Sequence, residues 1–110
     1  MSEIIHLADN IISRENRQQL ASFAGHTIAH GRATRWHWAK ASNGDDVFEI
    51  FRGGADEVLT ICISRNRKMD AFYAHDAIGN MVVAGELDHV MAELEQYFIQ
   101  LHGEKPDTTA

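Results

Sequence analysis

The stretch "EVLTICIS", residues 57–64, decides how the chain is read. Successive side chains of an extended strand point to opposite faces, so Leu59, Ile61 and Ile63 share one face and Val58, Thr60, Cys62 and Ser64 share the other. One face is uniformly aliphatic and the other is mixed, as expected where a sheet meets its core on a single side.

Stretches of the same kind lie on both sides: "TRWHWAK" (34–40), "DVFEIFR" (46–52), "DAFYAHDA" (70–77) and "MVVAGE" (81–86). Each is short and rich in β-branched and aromatic residues, and "SNGD", "RGGAD", "RNRK" and "GN" separate them as turns would. This predicts an antiparallel meander of four or five strands. Gly79 and Asn80 are expected to form a two-residue hairpin connection, because glycine takes the positive φ such a turn requires.

Helical spacing takes over at the two ends. Leu87, Val90, Met91, Leu94, Phe98 and Leu101 project onto an arc of about 100°, the signature of an amphipathic helix with one buried face. Gly103 suits its stop. Near the start, Ile4, Leu7, Ala8 and Ile11 form one stripe and Leu20, Phe23, Ala24 and Ile28 another, too far around a continuous helix to share a core. Ser13 suits the break as the N-cap of the second segment, with Glu15 in its first turn. So short a join excludes the turn of a DNA-reading helix-turn-helix. The expectation is therefore an α+β fold, with N-terminal helical segments and a C-terminal helix packed on one face of the meander. Residues 1–103 should form one domain and residues 104–110 a flexible tail.

Ile, Leu, Val and Phe make up 26 of the 110 residues, enough for a core. No apolar run approaches the roughly 18 residues of a membrane span. The start lacks the features of a secretory signal, and the single cysteine excludes an internal disulfide or a multi-cysteine zinc site. A cytoplasmic protein with no membrane association is expected. The net charge of −6 is uneven: residues 1–40 carry +2, residues 41–69 carry −1 and residues 70–110 carry −7. Such a balance argues against general phosphate-backbone binding.

The segment "GHTIAHGRATRWHWAK", residues 25–40, holds most of the candidate chemistry. His26 and His30 would share a helix face, and His37 would complete a three-histidine metal site if the strand folded back. "HTIAH" has threonine where the zincin motif H-E-x-x-H has its glutamate base, so hydrolysis lacks that base. The ordinary alternative places His26 and His30 at a helix C-terminus, where the dipole favours positive charge. Arg35, Trp36, Trp38 and Lys40, with Arg65, Arg67 and Lys68 of the "RNRK" turn, have the ingredients of a single-stranded nucleic-acid surface. Alternation sets the tryptophans on one strand face and Arg35 and His37 on the other, which favours core tryptophans. Cys62 with His75 and Asp70 or Asp76 would make a nucleophile only with a lowered thiol pKa, and a cysteine between two isoleucines is more ordinarily packing.

The reading that results is a small acidic binding protein, neither an enzyme nor a user of a cofactor, acting as a regulator or inhibitor and as a homodimer. Its expected partner is another protein with a basic surface, met by Glu86, Asp88, Glu93, Glu95 and Ile99 of the last helix, with charge setting encounter rate and partner choice. An anti-CRISPR or anti-restriction protein of a mobile element is one concrete form, suggested by size and acidity alone. Metal binding and nucleic-acid binding stand as alternatives, the latter less favoured by charge.

Overall fold

Ser13 turns the chain into the first described helix as the capping chemistry requires. Its side chain accepts a hydrogen bond from the Asn16 N–H at 3.1 Å, and Glu15 lies in the first turn. The computed structural model describes residues 12–42, 44–66 and 68–103. The first apolar stripe, Ile4 to Ile11, and the tail at 104–110 lie outside the described residues. Helix α1 (Arg14–Ala29) buries Leu20, Ala24 and Thr27. It ends in a Schellman closure: Gly31 N–H donates to the Ile28 carbonyl at 2.9 Å and Arg32 N–H to the Thr27 carbonyl at 3.0 Å. Gly31 has φ 76°, a conformation that costs glycine little.

Five strands follow: β1 (Arg35–Lys40), β2 (Asp46–Arg52), β3 (Val58–Asn66), β4 (Ala71–Asp76) and β5 (Met81–Gly85). They pair antiparallel in sequence order, so the expected meander is the observed sheet. Helix α2 (Leu87–Leu101) closes the fold and buries Leu87, Val90, Leu94 and Phe98, all within the apolar arc read from the sequence.

Both helices pack on the same face. Phe48, Ile50, Ile61, Ile63 and Ala74 from the sheet share one core with Leu20 and Ala24 of α1 and Leu94 and Phe98 of α2. Register carries that face across the strands: Trp36 opposes Ile50, Ile50 opposes Ile61, and Phe48 lies between Trp38 and Ile63. Trp36 and Trp38 each approach the Phe48 ring at 5.0 Å between centroids. Phe48 is fully buried, so Phe48→Ala should cost about 3–5 kcal/mol.

Two local features depart from the sequence reading. Phe51 pairs with Leu59 while Ile50 pairs with Ile61, so Thr60 is an extra residue opposite that step. This bulge breaks the strict alternation: Thr60 is buried and Leu59 only half-buried. The β4–β5 connection is also longer than the expected two residues, spanning 77–80. The Asp76 carboxylate organises it, accepting from the backbone N–H groups of Ile78 at 3.1 Å and Asn80 at 2.9 Å.

Asp46, at the start of β2, is only 8% exposed and ties α1 to the sheet. It pairs with Arg17 of α1 and accepts from Lys40 Nζ at 2.6 Å. Arg17 Nε also donates to the Ile12 carbonyl at 3.0 Å, and its guanidinium lies 4.4 Å from the Trp38 ring centroid. Burial alone would raise the Asp46 pKa, but the Lys40 hydrogen bond and the charges of Arg17 and Lys40 outweigh it and hold the carboxyl below its ordinary value of 3.8.

Asp46→Ala should therefore lower stability by about 2 kcal/mol, a fall in Tm on the order of 10 °C for a domain of this size. A depressed folded pKa stabilises fully above the unfolded value and loses that contribution as pH falls through the folded one. Urea unfolding of parent and variant should thus show a gap at about pH 7 that narrows by about pH 3. A gap independent of pH would contradict the role given to this carboxylate.

Candidate functional site

Among the described residues, none covers the sheet face away from the helices. His37, Glu49, Cys62 and His75 are successive register partners across β1, β2, β3 and β4. Each is half-buried. His37 Nε2 lies 2.6 Å from Glu49 Oε1, and His37 Nδ1 lies 2.9 Å from Arg35 Nη1. Arg35 in turn pairs with Glu57 at 2.6 Å and covers the Phe51 ring at 4.1 Å. On β4 the Tyr73 and His75 rings stack at 6.3 Å. Toward one end of this face, Val47, Cys62, Ser64, Asn66, Lys68 and Tyr73 help line a shallow groove of about 460 Å³.

Cys62 and His75 are thus cross-strand neighbours, but among the described residues the rest of a nucleophilic site is not assembled around them. Burial, with the Glu49 carboxylate beside it, pushes the Cys62 thiol above its ordinary pKa, which keeps it protonated at neutral pH. Asp76 is engaged in its own turn and Asp70 pairs with Arg65. Neither orients His75.

The histidine cluster divides between two faces. His26 and His30 lie together at the end of α1, rings 4.3 Å apart, and His26 Nε2 is 3.7 Å from Glu95 Oε2 of α2. His37 sits across the sheet in the open-face network. Among the described residues no group of three or more histidine, cysteine or acidic side chains is placed to hold a metal ion.

The basic and aromatic residues divide in the same way. Trp36 and Trp38 turn toward Phe48 and the core, whereas Arg35 lies on the open face. Lys40 is bonded to Asp46 and Arg65 to Asp70. Lys68 is exposed and its backbone N–H donates to Asn66 Oδ1 at 3.0 Å; Arg67 lies outside the described residues. Among the described residues, rings and cations therefore do not alternate along one accessible surface, the arrangement a single strand needs.

The acids of α2 occupy two flanks. At about 100° per residue, Asp88, Glu95 and Ile99 fall within roughly 40° of one another, while Glu93 projects about 160° from Glu95. Glu86 is the N-cap and makes no side-chain capping bond. The flank bearing Glu95 meets α1 at a groove of about 500 Å³. Phe23, Met91 and Ala92 supply its apolar surface and Glu15 and Glu95 its charge. Glu95 could be picked out from the sequence, but Glu15, Phe23 and Met91 could not, because their meeting depends on how the helices cross.

No helix among the described residues is long and apolar enough to cross a membrane.

The Cys62 thiol should react with an aromatic disulfide reagent more slowly than free cysteine at neutral pH, and Cys62→Ser should leave the melting temperature nearly unchanged. A reaction faster than free cysteine would point instead to an activated nucleophile. The chain matches no family model, no curated protein and no solved structure.

Proposed function

We propose that this chain is a non-enzymatic binding protein, a regulator or inhibitor that engages a basic segment of another protein in the groove between α1 and α2. The observation that carries the reading is the composition of that groove: an apolar surface from Phe23, Met91 and Ala92 beside the carboxylates of Glu15 and Glu95. Apolar surface supplies affinity through burial, and acids on the rim choose a basic partner and speed encounter. The −7 charge of residues 70–110 adds a long-range field of the same sign. Asp88 and Ile99, on the same flank of α2, extend the surface. A basic segment of a nucleic-acid-handling machine is the kind of partner this chemistry suits, and the cytoplasm is the compartment proposed for the encounter. The raised Cys62 pKa, and a His75 that neither Asp70 nor Asp76 orients, support a role by contact.

The test is an NMR titration of labelled protein with an amphipathic, lysine- and arginine-rich helical peptide. Shift changes should centre on Glu15, Phe23, Met91, Ala92 and Glu95, and affinity should fall at least tenfold between about 50 mM and about 300 mM salt. Glu15→Lys combined with Glu95→Lys should weaken binding by a similar factor with the fold intact. Shifts scattered over the surface, or binding indifferent to salt and to both reversals, would overturn the proposal.

A further inference from the structure

The sheet face that no described residue covers is large enough, and its polar residues are in the right order, to take a second copy of the same chain. Five strands about 4.8 Å apart and about six residues long give a face of roughly 24 by 20 Å, near 480 Å² in projection. Its accessible area is larger, because side chains corrugate it. Two such faces together approach the roughly 1,000 Å² that a specific interface needs. Val47, Cys62, Phe51 and Tyr73 supply its half-buried apolar area.

The row across the strands selects the symmetry. Two identical sheets facing each other are related by a two-fold axis lying between them. With the axis along the row, each residue would oppose its own copy and Glu49 would face Glu49, which is unfavourable. With the axis along β3, β1 faces β5 and β2 faces β4. Glu49 then lies opposite the partner's His75, and His75 opposite the partner's Glu49. The Glu49 carboxylate that receives His37 through Oε1 retains a second oxygen for this contact.

We propose that the chain forms a face-to-face homodimer about a two-fold axis along β3 through Cys62, with Glu49 and His75 paired reciprocally between the copies. Aligned sheets cross at about 30°, which displaces strands one position from the axis by only about 2.5 Å at their 4.8 Å spacing, within side-chain reach. The facing sheets stand about 10 Å apart, so the two Cys62 Cα atoms exceed the roughly 7 Å limit of a disulfide and the thiols are enclosed in the interface unlinked. The proposal deepens the binding reading by naming its oligomeric face. It rests on the chain acting by contact, but its test uses neither the helix groove nor a basic peptide, so either idea can fail alone.

The experiment is sedimentation velocity on the parent, on Glu49→Lys and on His75→Glu, with circular dichroism melts to establish that each variant folds. The parent should sediment as a dimer at about 100 μM. His75→Glu places two carboxylates opposite each other and Glu49→Lys replaces the acceptor of the pair with a donor, so each single variant should self-associate at least tenfold more weakly. An equimolar mixture should recover the dimer, because the lysine introduced in one copy then meets the glutamate introduced in the other while the second pair stays native. As a readout without substitution, Cys62 should be protected from a maleimide reagent at about 100 μM protein and should become labelled on dilution to about 1 μM, where the dimer separates. A monomeric parent, single variants that dimerise undiminished, or a mixture no stronger than its components would each overturn the proposal.

Discussion

Everything in this fold depends on the alternation of β3, which places Ile61 and Ile63 at full burial and leaves Cys62 and Ser64 on the other side. A strand's side-chain period is two, so a slip of one residue would exchange the faces completely. Register then extends the choice to the neighbours: Phe48 and Ile50 follow Ile63 and Ile61, and the tryptophans follow Phe48 and Ile50. The helices supply the matching apolar stripes, so both settle on that face. The opposite face keeps its half-buried mixture of charges, rings and one thiol. On that asymmetry rests our proposal that the chain acts by contact rather than by enclosed chemistry.

A second constraint is electrostatic. Asp46 is a nearly buried carboxylate, and a buried charge is tolerable only when its partners are in place. Arg17 and Lys40 provide them from α1 and β1, and Arg17 also lies over Trp38. The cluster therefore fixes where α1 sits along the sheet edge, which apolar packing alone specifies loosely. It also consumes Lys40, one of the cations that a nucleic-acid reading would require to be available.

Much of this is legible in the sequence because it depends on local chemistry. The arc of α2, the Ser13 cap and the strand runs all follow from spacing and capping within a few residues. The bulge at Thr60 is not legible, since it arises from how β2 and β3 register rather than from either strand. The turn after β4 is longer than its glycine suggests, because the Asp76 side chain takes the organising role expected of Gly79. The candidate sites suffer most. His26, His30 and His37 are near in sequence, yet the helix-to-strand join sends His37 to the far face. Conversely, Glu49, Cys62 and His75 are far apart in sequence and adjacent in space, a row visible only once pairing is known.

The central claim is that one face of β3 is core and the other is surface, and adjacent residues test it most directly. Thermal melting of Ile63→Asp and Ser64→Asp, followed by circular dichroism at low protein concentration, compares a charge placed on each side of the same strand. Ile63→Asp should abolish the cooperative transition, because the buried carboxylate would have no partner, whereas Ser64→Asp should melt within a few degrees of the parent. Two variants that unfold alike, or an Ile63→Asp protein that melts like its parent, would contradict the account.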